Sequence, residues 1–161
     1  MAFTLRVFVL LCGLSALMPG AWSLPKNPNI CCPEGWTQLD ARCYIFKAEA
    51  RTFIDAESVC NILGGNLVSI LSALENSLVQ KLVLVQGASE AWIGLHDAVE
   101  DGEFFWTDGS DFKFENFDQG EPGNDECVVI QTTGRWEGES CDDPEPYVCL
   151  RDAVCPKHFS S

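Results

Sequence analysis

The residues best suited to chemistry lie between Gly120 and Cys141, in the run G-E-P-G-N-D-E-C-V-V-I-Q-T-T-G-R-W-E-G-E-S-C. Glu121, Asp125, Glu126, Glu137 and Glu139 flank the short apolar stretch Cys127-Val128-Val129-Ile130. A bond between Cys127 and Cys141 would hold the two acidic segments side by side. Two unit charges about 4 Å apart repel by about 4 kcal/mol at an effective dielectric of about 20. Such a cluster either takes up a cation or splays into water. Ca²⁺ suits it because that ion takes ~6–8 hard oxygen ligands from carboxylates, amides and carbonyls. The other reading is a solvated acidic loop on an acidic protein.

Catalytic constellations find little support. His96 sits beside Asp97, but neighbours on a strand point to opposite faces, and no nucleophile accompanies them. Ser58, Ser69 and Ser72 lack the Gly-x-Ser-x-Gly turn that exposes a nucleophilic serine. Paired carboxylates for glycoside cleavage need a defined separation across a cleft, which spacing along a chain does not give. No Cys-x-x-Cys is present, and His96 and His158 lack a second ligand pair, so zinc is disfavoured. The chain is expected not to be an enzyme.

The 161 residues suffice for one domain. Residues 1–23 read as a secretory signal: Arg6 supplies the positive charge, Val7 to Leu17 the apolar stretch, and Ala21-Trp22-Ser23 the small-x-small cleavage site. That stretch is shorter than the ~20 residues needed to cross a bilayer. A secreted chain starting near Leu24 is expected, with no membrane insertion. Removing Cys12 from the nine cysteines leaves eight. An even number in an exported chain points to disulfides, with 105 possible pairings for eight. Removing the positive charge of Arg6 from the formal −14 leaves −15. Nucleic acid and anionic membranes are poor partners for so acidic a surface.

The elements that must position the acidic stretch follow in order. Residues 24–31 form a short Pro-containing leader, and residues 32–155 the domain. Thr37 to Phe46 reads as a hairpin turning at Asp40-Ala41-Arg42. Thr52 to Leu63 reads as a helix, capped by Thr52 with Asp55 in the capping-box position and ended by Gly64-Gly65. Phe53, Ala56, Val59, Cys60 and Leu63 recur on one face. A second helix is predicted from Ala73 to Leu84, with Ser72 and Glu75 as capping box and Leu74, Leu78 and Leu82 as its core stripe. Strands are predicted at Trp92 to Leu95, Phe104 to Thr107, Cys127 to Gln131, Gly134 to Trp136 and Tyr147 to Arg151. Trp92, Trp106 and Trp136 are assigned to the core. Phe112, Phe114 and Phe117 either anchor the intervening loop or stack on a ligand. Residues 156–161 are a tail. Helices followed by short strands, without βαβ alternation, give an α+β domain.

At this point the chain resembles a C-type lectin-like domain. The resemblance rests on Cys32-Pro33-x-Gly35-Trp36, Cys43-Tyr44-x-Phe46, Cys60, Trp92-Ile93-Gly94-Leu95, Trp106-x-Asp108-Gly109, Gly120-Glu121-Pro122, Cys127, Trp136, Cys141 and Cys149. It covers Cys32 to Cys149 and looks most like the small secreted lectins of fish, whose relatives include type II antifreeze proteins. It implies two helices packed on twisted antiparallel sheets, with a long loop region over roughly Asp97 to Asp125. It implies the pairs Cys32–Cys43, Cys60–Cys149 and Cys127–Cys141. Cys31 and Cys155 remain, and are taken to join the two termini.

In sugar-binding members of that family one Ca²⁺ is held by a Glu-Pro-Asn or Gln-Pro-Asp tripeptide, a later acid and a Trp-Asn-Asp strand. Vicinal hydroxyls of the sugar complete its shell, and the proline is usually cis. Here Glu121 and Pro122 match, and Glu121 resembles the mannose-type variant. Gly123 replaces the Asn, with Asn124 one place on. Asp125 stands where the later acid belongs. Glu137 and Gly138 replace the Asn and Asp of the strand, and the segment from Pro122 to Cys127 is shorter than usual. The implied metal set is therefore Glu121, Asn124, Asp125 and Glu137, and the implied ligand-binding set Glu121, Pro122, Asn124 and Glu137. The leading expectation is a non-catalytic secreted lectin for glycans on microbes or on host glycoproteins. The departures at Gly123, Glu137 and Gly138 make a lectin-like module that recognises proteins, or assembles with copies of itself, the alternative. Ice binding comes third, since the many carboxylates argue against it.

Overall fold

The computed structural model describes residues 31–97, 102–123 and 125–155. The signal stretch 1–23, leader residues 24–30, Asn124 and the 156–161 tail lie outside the described residues. In chain order the elements are β1 (Thr37–Leu39), β2 (Arg42–Arg51), α1 (Phe53–Ile62), β3 (Asn66–Leu67), α2 (Ala73–Val85), β4 (Glu90–His96), β5 (Phe105–Trp106), β6 (Cys127–Gln131), β7 (Trp136–Glu139) and β8 (Glu145–Asp152). This is the α+β arrangement that the sequence pattern and the resemblance imply.

The strands form one mixed sheet in the order β1-β2-β8-β4-β6-β7, with β3 added to β8 and β5 to β4. Every pairing is antiparallel except β4 with β8, which meet in parallel at Trp92 and Tyr147. Successive side chains of a strand face opposite ways, and both faces here are buried. Ala91, Ile93 and Leu95 of β4, Val128 and Ile130 of β6, and Val148 and Leu150 of β8 join Val79 and Val83 of α2. The alternate residues Trp92, Cys127, Val129, Tyr147 and Cys149 join Phe53, Ala56 and Cys60 of α1. Each helix thus covers its own apolar cluster.

Both helices start where the capping residues place them. Thr52 accepts the Asp55 N–H at 3.4 Å, and Ser72 accepts the Glu75 N–H at 3.3 Å. The Glu75 carboxylate reaches the N–H of Leu71 and the guanidinium of Arg42 rather than closing the box on Ser72. Helix α1 ends at Ile62, and Gly64-Gly65 follow its cap residue Leu63. A side chain on Gly65 would stand 1.8 Å from the Leu150 carbonyl, so glycine lets β8 pass.

The core stripe of α2 differs from the prediction. Asn76, Val79 and Val83 are buried, Leu78 and Leu82 are partly so, and Leu74 is 63% exposed. Apolar residues outnumber the positions on any one face of this helix. Asn76 wins a core place because Trp136 Nε1 donates to its Oδ1 at 2.8 Å and its Nδ2 donates to the Gly134 carbonyl at 2.9 Å. The last hairpin also shifts, because β7 begins at Trp136 and Gly134 lies in the turn. The two-residue β3 carries too little pattern to be read in advance.

Among the described residues four disulfides join Cys31–Cys155, Cys32–Cys43, Cys60–Cys149 and Cys127–Cys141. Chain-entropy reasoning gives each about 3–5 kcal/mol, most for the longest loops. Cys31, placed in the leader on sequence, is buried and bonded to Cys155, 124 residues away.

Candidate functional site

Strands β6 and β7 form a hairpin in which Val129 pairs with Glu137, Val128 with Gly138 and Cys127 with Glu139. The Cys127–Cys141 bond closes its open end. Val-Val-Ile favours a buried strand, and β7 lies at the sheet edge, where polar side chains are tolerated. The hairpin thereby presents Glu137 and Glu139 at an edge.

The loop that meets this edge is fixed by aromatic rings. Phe117 lies 5.6 Å and Phe114 5.7 Å from the Trp136 ring, Trp106 lies 5.7 Å from Trp136, and Phe104 lies 5.3 Å from Phe117. Phe112 packs on Phe104 and Trp106. All pack against the core, so their role is to anchor the loop. The backbone continues the work: Trp136 N–H donates to the Asn116 carbonyl at 3.1 Å, and Asp118 N–H to the Trp136 carbonyl at 2.9 Å.

Beyond Asp118 the chain turns through a cis Glu121–Pro122 bond. The Gly138 N–H donates to Glu121 Oε2 at 3.0 Å. A Cβ on Gly138 would stand 2.1 Å from the Pro122 carbonyl oxygen and 3.2 Å from Asp125 Cβ. Glu121, Pro122 and Asp125 are therefore gathered at Gly138, with Glu137 next to it in β7. Burial is the main cause that pushes the Glu137 carboxyl up, followed by the charges of Glu121, Asp118 and Glu90. Gln131 opposes the shift, donating its amide to Glu137 Oε2 at 3.0 Å and also bonding Glu90.

The acidic row extends past this corner. Burial, with Glu90 and Asp143 nearby, raises the Glu139 carboxyl, against an opposing backbone bond from Ser140. Burial, then Glu90, Glu139 and Asp143, raise that of Glu145. Sequence reasoning missed Glu90, Gln131 and Asp118. Glu90 meets Gln131 through the β4–β6 register across 41 residues, which no local pattern announces. Asp118 could have been found, since it lies three residues before Glu121 in the same acidic run.

Of the implied metal set, the structure brings Glu121, Asp125 and Glu137 to one corner, and Asn124 lies outside the described residues. The described residues by themselves do not make up a calcium site. Glu121 and Glu137 each have one oxygen engaged by an N–H donor, and Gly138 offers no side chain. Among the described residues no group of three or more His, Cys, Asp or Glu side chains is placed to hold a metal ion. What the corner can do is accept hydrogen bonds from a polyhydroxylated ligand.

The other polar candidates are absorbed by the scaffold. His96 is half-buried, and desolvation lowers its pKa against the nearby charges of Asp97 and Glu57. Ser69 bonds Asp108 and Arg42, Ser58 bonds the Ile54 carbonyl, and Ser72 caps α2.

Residues 49–151 match the family described as Lectin C-type domain. Ladderlectin of Oncorhynchus mykiss is 40% identical over 131 residues, covering 76% of this chain and 69% of its own. The cow CD23 carbohydrate-recognition domain, solved in the presence of a GlcNAc2Man3 oligosaccharide, superposes with TM-score 0.71 at 34% identity, over 77% of this chain and 98% of its own. A calcium-independent type II antifreeze protein superposes with TM-score 0.71 at 28% identity, over 76% and 95%.

Proposed function

Because this chain belongs to the C-type lectin domain family, we propose that it is a secreted, non-catalytic lectin that binds glycans at the Glu121–Glu137 corner. The supporting observation is the gathering of Glu121, Pro122, Asp125 and Glu137 around Gly138, at the place the family's sugar motif occupies in sequence. Carboxylates that crowd one another are strong acceptors for sugar hydroxyls, and charge-assisted hydrogen bonds are about twice as strong as neutral ones. Secretion rests on the signal-like stretch 1–23. No helix among the described residues is long and apolar enough to cross a membrane.

No step of this binding is routed through calcium. The calcium set Glu121, Asn124, Asp125 and Glu137 is a separate claim with its own test. Heat evolved on titrating calcium chloride into the secreted chain, and lost in Glu121→Gln, supports that set. An absence of heat removes it and leaves direct recognition of hydroxyls standing. The glycan reading is tested on an array carrying mannose-, galactose- and N-acetylglucosamine-terminated glycans, with calcium and with EDTA. Retention on a defined glycan class supports the reading, and no retention under either condition overturns it.

One observation favours the alternative, recognition of a protein surface. The Pro122 carbonyl packs onto Gly138, in the space that a ligating side chain there would use. Retained partner binding together with a blank glycan array would decide for that alternative. Ice binding is tested by thermal hysteresis of the same protein.

A further inference from the structure

On the α1 side of the Cys127–Cys141 disulfide lies a cleft of about 350 Å³. That volume falls within the ~300–1,000 Å³ range of ligand pockets. Its walls are mainly apolar: Phe53 and Ile54 from the first turn of α1, the ring of His96, and the disulfide itself. Ile54 is 73% exposed, although an apolar side chain in that position gains by being covered. Phe53, its neighbour in the chain and in the cleft wall, packs edge-on against both Trp92 and His96.

The rim is acidic. Glu57, Glu126 and Asp142 border the cleft. Glu57 is held in place by Asn61, Asn66 and the Leu67 N–H. None of the four ion pairs among the described residues involves these three carboxylates. A second hollow of about 220 Å³ shares Glu126, Cys141 and Asp142 with the first and adds Asp125 and Ser140. The groove therefore runs from the exposed Ile54 across the disulfide to Asp125, beside the candidate glycan corner.

An apolar floor under uncompensated carboxylates selects an occupant with an apolar side chain and flanking positive charge. We infer that this groove docks a basic segment of a partner protein, an aromatic or aliphatic residue inserting against Phe53 and Ile54 while Lys or Arg on either side meets Glu126 and Asp142. A neutral glycan offers the rim no charge and the floor little apolar surface, so the inference stands apart from the glycan reading.

The test uses the full secreted chain and a fluorescein-labelled peptide of two lysines, a phenylalanine, a leucine and two arginines, followed by anisotropy. Saturable binding is expected. It should weaken about tenfold or more when Ile54→Glu removes the apolar wall, and similarly in the Glu126→Gln/Asp142→Asn double variant. Ile54→Glu is informative because it adds a negative charge: attraction by charge alone would strengthen, whereas insertion of an apolar side chain must weaken. The new acid falls in the first turn of α1, where the helix dipole favours it, so the fold is kept. Glu49→Gln, at an exposed carboxylate outside the cleft, should leave binding unchanged. Equal binding of a peptide with serines in place of phenylalanine and leucine would overturn the inference, as would unchanged or tighter binding by Ile54→Glu. Self-association that Ile54→Glu abolishes, with no peptide bound, would overturn it in favour of a second copy of this chain.

Discussion

At Gly138 the lack of a side chain decides the shape of the corner. The Pro122 carbonyl fills the space where a Cβ would stand, and the Gly138 N–H holds Glu121. Gly138→Ala should push that carbonyl away, cost about 1–3 kcal/mol through overpacking, and reduce glycan retention. Urea unfolding and the array measure the two effects on one sample. A variant as stable as the parent would show that the loop yields without strain. Glu121 and Glu137 are coupled by charge. Glu121→Gln removes the second-largest influence on the Glu137 carboxyl, so the pKa of Glu137 should fall towards its ordinary value. Carbon-detected NMR titration of the side-chain carboxyl reads this directly. An unmoved titration would mean that the two groups do not face each other in solution.

At the scale of elements, α2 positions the site from behind. Its buried Asn76 ties the Trp136 indole and the Gly134 turn to the helix, and Trp136 opens β7, which carries Glu137 and Gly138. Asn76→Ala leaves the indole N–H buried without that acceptor, which costs about 1–3 kcal/mol. Chemical denaturation should show that loss. Weaker glycan retention beyond the change in folded fraction would show that the helix also sets the corner's geometry. A second polar tie starts from the neighbouring residue in the same first turn of α2. Arg42 bonds Glu75 and Ser69, Tyr44 O–H donates to Glu75 at 2.9 Å, and Ser69 bonds Asp108 of the long loop. Capping logic placed Glu75 at the helix start. The partners of its carboxylate in β2 were invisible, because they lie more than thirty residues away.

For the molecule as a whole, the acidic row sets how stability responds to pH. Burial and neighbouring charges raise the carboxyls of Glu137, Glu139 and Glu145 in the folded state. A carboxyl raised on folding binds its proton more tightly in the native chain. Its contribution is fully present below the unfolded value and is lost as pH rises through the folded one. His96 works the other way. Its lowered pKa means that the unfolded chain takes up the proton first, so its contribution is lost as pH falls below the ordinary imidazole range. Because the two trends oppose each other, a difference between variants isolates one of them. Glu145→Gln should raise the melting temperature at neutral pH, and the gain should close as pH falls into the carboxylate range. A gain that persisted unchanged at acid pH would count against electrostatic crowding. Added salt should shrink only the part of that gain due to the neighbouring charges of Glu90, Glu139 and Asp143, because salt screens charge but leaves the cost of burial.

Sequence alone settled whatever depends on local chemistry or on the order of a few hard-to-substitute residues. Helix starts at Thr52 and Ser72, the buried Val-Val-Ile strand and the tryptophan core follow from capping, burial and spacing. The ordered cysteines, with Trp92-Ile93-Gly94-Leu95 and Gly120-Glu121-Pro122, carried the resemblance to the family, and the resemblance implied three of the disulfide pairs, while Cys31–Cys155 joins the two cysteines left over. Tertiary structure alone decided which face of α2 is buried, because hydrogen bonds to Trp136 and Gly134 outweighed the leucine stripe. It also brought Glu90 and Asp118 to Glu137 and joined the α1 terminus to the Cys127–Cys141 disulfide in one groove. These contacts join segments far apart along the chain, and the sheet register that fixes them is a property of the packed core rather than of any stretch within it.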